Sequence, residues 1–157
     1  MYRMIVAALV RATWRRVSAG DISAATGKAH RDVTFEFVGD TPLSGRLQGR
    51  AAFEAWFRDA AARLPGLTFE LRDVVVAGWP WDTRVATRLA VSAPLPDGTT
   101  YRNQAAQWMR LRWGKMTDDW VLEDTAALTA LLARHDLARH DRAGEAPAAP
   151  TAERAAR

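Results

Sequence analysis

The stretch Thr99–Asp124, TTYRNQAAQWMRLRWGKMTDDWVLED, limits what this chain can fold into more than any other. Two runs rich in strand formers flank Gly114-Lys115, the pattern of a long antiparallel hairpin. Side chains alternate faces along a strand. One face of the first run therefore collects Tyr101, Asn103, Ala105, Gln107, Met109, Leu111 and Trp113, and the other Arg102, Gln104, Ala106, Trp108, Arg110 and Arg112. The first face is apolar at its Trp113 end and carries two amides, Asn103 and Gln107, towards Tyr101. An amide on an apolar face needs a partner, or its burial costs a few kcal/mol. That partner is protein, water or ligand, so the two amides point to a pocket.

The rest of the chain bounds the setting of that pocket. Its 157 residues make one domain with room for a core, and 48% are hydrophobic, including seven tryptophans. There is no cysteine, which excludes a disulfide framework, a Cys-ligated zinc and a thiol nucleophile. A reducing, cytoplasmic location is expected. The apolar run Ile5–Val10 is too short to span a bilayer and is soon followed by arginines, so neither a signal peptide nor a membrane partner is expected. Net charge is +4, and of 22 basic residues only Lys28 and Lys115 are lysine. The arginines are interleaved with acids such as Glu70, Asp82 and Asp118, the signature of a solvated sheet face, so no nucleic-acid partner is expected.

Periodicity then places the elements. Ile5, Val6, Leu9, Val10, Thr13, Trp14 and Val17 form one stripe of a helix over 2–19, which Gly20 ends. Asp21 caps a shorter helix reaching about Ala29. Strict alternation predicts a strand over 32–38, and Gly45–Gly49 reads as a loop. A helix over 50–64 buries Phe53, Trp56, Phe57, Ala60 and Leu64. Strands follow over about 67–77 and 83–93, joined by Trp79-Pro80-Trp81-Asp82, with Leu67, Phe69, Leu71, Asp73 and Val75 on one face of the first. After Asp124 a last helix runs to about Arg134, with Leu128, Leu131 and Leu132 apolar. The domain is expected over 1–138. Residues 139–157, rich in Ala, Pro and Arg, have nothing large to bury and are expected to be disordered. This order predicts an α+β fold, a cone-shaped, curved antiparallel sheet covered by helices and open at one end.

Several of these stretches carry a resemblance. They are the first helix ending in SAGD, RDVTFEF (31–37), the glycines 39, 45 and 49 before AAFEAWF, LPGLTFELRDVVV (64–76), DGTTYRNQ (97–104) and GKMTDDWVLEDTAAL (114–128). Through them residues 2–134 resemble the nuclear transport factor 2-like superfamily, a cystatin-like α+β roll. Within it they resemble the SnoaL-like polyketide cyclases and their ketosteroid isomerase-like relatives. The resemblance implies a homodimer and a cofactor-free acid/base enzyme, either a cyclase or an isomerase, acting on a hydrophobic, carbonyl-bearing small molecule. It also implies that Asp124 matches the acid late in the last strand of the cyclases. The general base of the isomerase branch falls near Phe37, and its tyrosine near Thr13 or Trp14, neither of which serves that role.

Asp124 is thus the candidate catalytic acid/base, although it also stands where an N-cap is favoured. Asn103 and Gln107 are candidates to hold a developing oxyanion, or to bond each other or the backbone. Tyr101 offers a hydroxyl at the polar end of the same face. Trp14 and Trp120 are expected in the core, lining the cavity. His30 is the histidine inside the domain, and Asp73 a second pocket acid by its alternation. Asp118 and Asp119 fall on opposite faces after the turn; one of them can reach the mouth, but both are read as solvated. Scattered histidines and the lack of a paired carboxylate motif give no metal site. The alternative function is a non-catalytic ligand-binding or dimeric accessory protein using the same cone.

Overall fold

The computed structural model describes residues 1–133. The end of the last predicted helix, the boundary at 138 and the 139–157 tail lie outside the described residues. Three helices, α1 (Tyr2–Ser18), α2 (Ser23–Thr26) and α3 (Arg50–Arg63), accompany six strands: β1 (Ala29–Val38), β2 (Gly45–Gln48), β3 (Thr68–Trp79), β4 (Asp82–Pro94), β5 (Thr100–Arg112) and β6 (Lys115–Glu123). A fourth helix, α4, opens at residue 125 and continues to 133. The strands form one sheet in the order β2-β1-β6-β5-β4-β3. The sheet is antiparallel throughout except at β1–β6, which pair in parallel.

Several predicted elements differ. The second helix is only Ser23–Thr26, is N-capped at Ile22 rather than by the Asp21 side chain, and gives way to β1 at Ala29, three residues before the predicted strand. Residues 45–48, read as a loop, form the short edge strand β2, paired with β1 from Thr34↔Gln48 to Phe37↔Gly45. Four residues are too few for alternation to show, and pairing with β1 is what orders them. The hairpin turn is Trp113-Gly114, one residue earlier than expected, because Arg112 pairs with Lys115. Both turn residues have positive φ, 51° at Trp113 and 75° at Gly114, as a two-residue type I′ turn requires.

The core fills the inner face of the sheet. Phe35 and Phe53 are each 1% exposed, and their ring centroids lie 4.8 Å apart, fixing α3 over β1. Helix α1 lies along β3, where Trp14 meets Phe69 at 4.9 Å. It is pinned at both ends. Tyr2 and Thr83 hydroxyls are 2.5 Å apart, and Ser18 Oγ donates to the Phe69 carbonyl at 2.7 Å and accepts from its N–H at 2.8 Å. Leu128, Leu131 and Leu132 of α4 are buried and close the base.

Two bulges decide which polar residues face inward. In β3 the register skips Arg72, so Leu71 pairs with Leu89 and Asp73 with Arg88. In β6 it skips Thr117, so Met116 pairs with Leu111 and Asp118 with Arg110. A one-residue bulge swaps the faces of every residue beyond it. Asp73 therefore turns outward and Asp119 turns inward.

Candidate functional site

The inner face of β5 and β6 meets α1, α2 and α3 around a cavity of about 300 Å³. Its walls are almost wholly apolar, from Val6 and Val10 on α1 to Met109 and Met116 on the sheet. A smaller chamber of about 60 Å³ lies deeper, between Phe35, Leu89 and Leu128. Four side chains line both spaces: Trp14, Phe57, Gln107 and Asp119. The stripe predicted on α1 is therefore a cavity wall, and Ile5 and Leu9 remain half exposed because they stand at its mouth.

Asp119 is 4% exposed. The side-chain amide of Gln107 donates to its Oδ1 at 3.0 Å and its Oδ2 at 3.1 Å, and Thr87 Oγ1 donates to Gln107 Oε1 at 3.1 Å. The threonine fixes the amide so that its N–H group faces the carboxyl. No Arg, Lys or His is ion-paired with Asp119 among the described residues. Burial therefore dominates, and pushes this carboxyl from its ordinary 3.8 up to about 7, with the Gln107 hydrogen bond opposing.

A second acid, Glu123, lines the deeper chamber. Its Oε1 accepts from the Tyr101 hydroxyl at 2.7 Å and from Asn103 Nδ2 at 2.8 Å. Asn103 Nδ2 also reaches the Tyr101 oxygen at 2.6 Å and the Asp124 carbonyl at 3.0 Å. Burial pushes the Glu123 carboxyl up, and burial together with Glu123 pushes the Tyr101 hydroxyl up. Among the described residues no three His, Asp or Glu side chains are grouped to hold a metal ion.

The model of the SnoaL-like domain matches residues 10–119, from the middle of α1 through the carboxyl in the cavity. The chain belongs to the SnoaL-like domain family. Its fold is nuclear transport factor 2-like, and solved structures with the same architecture are numerous. PrhC from Penicillium brasilianum is 17% identical, with a TM-score of 0.74 over 88% of this chain and 93% of PrhC. TerC, crystallised with polyporic acid, is 21% identical, with a TM-score of 0.66 over 80% and 95%. IdmH from Streptomyces antibioticus, described as a proposed polyketide cyclase, is 18% identical, with a TM-score of 0.65 over 81% and 97%. No curated protein matches the chain.

In this SnoaL-like protein the sequence-predicted residues separate into three groups. Gln107 and Trp14 line the cavity. Tyr101 and Asn103 lie on the expected face but spend their polar atoms on Glu123 and the backbone, and neither lines the two chambers. The others point elsewhere. Asp124 is exposed, and its Oδ1 accepts from the N–H groups of Ala126 and Ala127 at 3.1 and 3.3 Å, the geometry of an N-cap on α4. Asp73, turned out by the β3 bulge, takes a 2.8 Å hydrogen bond from Arg88 on the outer face. Trp120 is on the outer face as well, 39% exposed and opposite Trp108, because the β6 bulge sends Asp119 and Val121 inward. His30 is exposed at the start of β1, and its Nδ1 accepts from the Asp32 N–H at 3.2 Å.

Asp119 and Glu123 are the residues that sequence reasoning missed. The alternation Asp119-Val121-Glu123 does put both acids on one face, but Trp120 and Leu122 on the other read as the apolar one, so the pattern by itself sends the acids outward.

Proposed function

We propose that this protein is a cofactor-free acid/base catalyst. In this reading Asp119 moves a proton beside the carbonyl of an uncharged, largely apolar small molecule. The observation that carries it is a carboxyl buried in an apolar cavity and held by one neutral amide, where burial pushes its pKa up to about 7. Such a group is present in both protonation states at neutral pH, which suits proton abstraction followed by return. As carboxylate it takes a proton from the carbon next to the carbonyl, leaving an enolate. Gln107, whose amide is oriented by Thr87 and lies beside Asp119, supplies the neutral N–H donor that steadies the enolate oxygen. Return of the proton from Asp119 to another carbon gives an isomer. Attack of the enolate carbon on a second carbonyl gives a ring, and the proton from Asp119 then goes to the new alkoxide. The apolar lining of the cavity supports a largely apolar body, and the polyporic acid co-crystallised with TerC, a carbonyl-bearing aromatic compound, and the cyclase description of IdmH are consistent with that class.

Exchange of the α-hydrogens of 2-tetralone in deuterated water tests the reading without the natural substrate. The wild-type protein should accelerate exchange with a rate rising through an apparent pKa near 7. Asp119→Asn should lose about 100-fold or more. Exchange that survives Asp119→Asn overturns the assignment. Saturable binding without exchange, across a panel of aryl ketones, moves the protein to the non-catalytic ligand-binding reading.

The same reading includes a cytoplasmic homodimer. The outer face of the sheet supports the homodimer. Trp108 and Trp120 are exposed there as a cross-strand pair, with exposed Leu122 and, across Ala86, exposed Val75 on the same face, the kind of apolar cluster that marks an interface. Light scattering on the purified chain, with Trp108→Asp as the disrupting change, decides it.

A further inference from the structure

Three tryptophans stand together at the open end of the cavity. Trp79 and Trp81 flank Pro80 in the β3–β4 turn, with rings stacked at 5.9 Å, and Trp113 of the β5–β6 turn meets Trp81 at 6.3 Å. A 2.6 Å hydrogen bond from the Trp113 N–H to the Pro80 carbonyl ties the two turns together. The three are 59%, 56% and 73% exposed, on the order of 400 Å² of indole surface. Trp113 and Pro80 also line the cavity, beside the exposed Ile5 and Leu9 of α1. The tryptophans are thus held rigidly outward, continuous with the apolar interior, and neither the core nor the proposed chemistry uses them.

We infer that the mouth of the cavity is a peripheral membrane-docking rim: Trp81 and Trp113, backed by Trp79, seat in the headgroup layer of an anionic bilayer, and Lys28, Arg112 and Lys115 pair with its phosphates. The charges select this occupant. Arg112 and Lys115 flank Trp113-Gly114 as a cross-strand pair, and Lys28 lines the mouth. The two turns, residues 79–82 and 112–115, contain one acid, Asp82. Arg110 donates to both of its oxygens, at 2.7 and 3.1 Å, and Arg84 lies 3.9 Å away. Asp82 also lies near Arg112, and Asp118 near Arg110, so the rim is apolar indole with basic residues in excess over acids. Tryptophan concentrates at the boundary between headgroups and acyl chains, and each basic residue near an anionic surface adds attraction. No described helix is long and apolar enough to cross a membrane, and a docking rim needs none. A docking rim of this kind amends, for a surface contact only, the expectation of no membrane partner. An apolar ligand dissolved in the bilayer would face the cavity directly.

The test is sedimentation of the full chain with vesicles of phosphatidylcholine alone or mixed with phosphatidylglycerol. Tryptophan emission and its quenching by brominated lipid are read alongside. The double variant Trp81→Ala with Trp113→Asn preserves the turn, because Asn-Gly suits two positive-φ positions. Arg112→Glu with Lys115→Glu changes charge alone, and circular dichroism verifies both folds. The wild type should sediment with the mixed vesicles, with blue-shifted and quenched emission. The tryptophan variant should partition at least about tenfold less, and the charge variant should lose the preference for phosphatidylglycerol. Three results overturn the inference: no sedimentation with mixed vesicles at low salt, binding the tryptophan variant retains in full, or self-association abolished by that variant without vesicle binding. Asp119→Asn should bind vesicles like the wild type, so failure here and failure of the acid/base reading are separate outcomes.

Discussion

The side-chain amide of Gln107 donates to both carboxylate oxygens of Asp119, at 3.0 and 3.1 Å, from the neighbouring strand. That bond is the one interaction holding the Asp119 pKa down against burial. Gln107→Leu removes it and leaves the Thr87 hydroxyl without its acceptor. The carboxyl should then titrate above 7. The rising limb of the exchange rate should move to higher pH, the rate at neutral pH should fall, and the lost pairing should cost stability by about 1–3 kcal/mol. An unmoved limb would mean that the group titrating in the rate is not Asp119.

Asp119 also makes stability depend on pH, with a defined sign. Its folded pKa, about 7, lies above the ordinary 3.8 of an exposed carboxyl. Below 3.8 both states hold the proton and the group contributes nothing. As pH rises from there towards 7, the unfolded chain ionises first and the folded state loses relative stability, by a few kcal/mol in all. Above 7 the loss is complete. Asp119→Asn keeps an acceptor for Gln107 but cannot ionise. It should match the wild type in acid and exceed it by about 2–4 kcal/mol near pH 8, as read by urea unfolding at several pH values.

The sequence made the faces of β5 legible but not those of β6. Tyr101, Ala105, Gln107 and Met109 alternate inward as read, because no bulge interrupts their pairing with β4. The α1 stripe and the aromatic face of α3 were equally plain. The acids were not, since their faces depend on bulges at Arg72 and Thr117 that pairing between strands sets. Alternation carried straight through Arg72 keeps Asp73 on the Leu71 face, and alternation from Met116 puts Asp118 inside in place of Asp119. The resemblance pointed to an acid late in the last strand. The position it matched, Asp124, lies one residue beyond β6 and has already turned to α4, while the inward acids are Glu123 at the end of β6 and Asp119 in its middle.

The packing of α3 on β1 sets the shape of the deeper chamber. Phe35 touches Phe53 at 4.8 Å and Trp56 at 4.6 Å between ring centroids, and is itself 1% exposed. Phe35→Ala should cost about 3–5 kcal/mol. In a double-mutant cycle with Phe53→Ala the pair should show a coupling of about 0.5–1.5 kcal/mol. The cavity opened by Phe35→Ala lies in the deeper chamber, so the variant should admit ligands longer at their inner end, measured by binding across a homologous series of alkyl-substituted aryl ketones.

Asp124 separates capping from chemistry. Its carboxylate accepts from two backbone N–H groups in the first turn of α4, which buries Leu128, Leu131 and Leu132 against the sheet. The negative charge also sits favourably at a helix N-terminus. Asp124→Ala should cost about 1 kcal/mol of unfolding free energy, and Asp124→Asn less, because asparagine caps nearly as well. Neither should move the pH at which exchange rises, since the exposed carboxyl lines neither chamber. A loss of exchange in Asp124→Asn, with the melting temperature preserved, would transfer the proton-moving role from Asp119 to Asp124. It would also require α4 to unwind its first turn when ligand binds, because the cap and the cavity cannot use the same carboxylate at once.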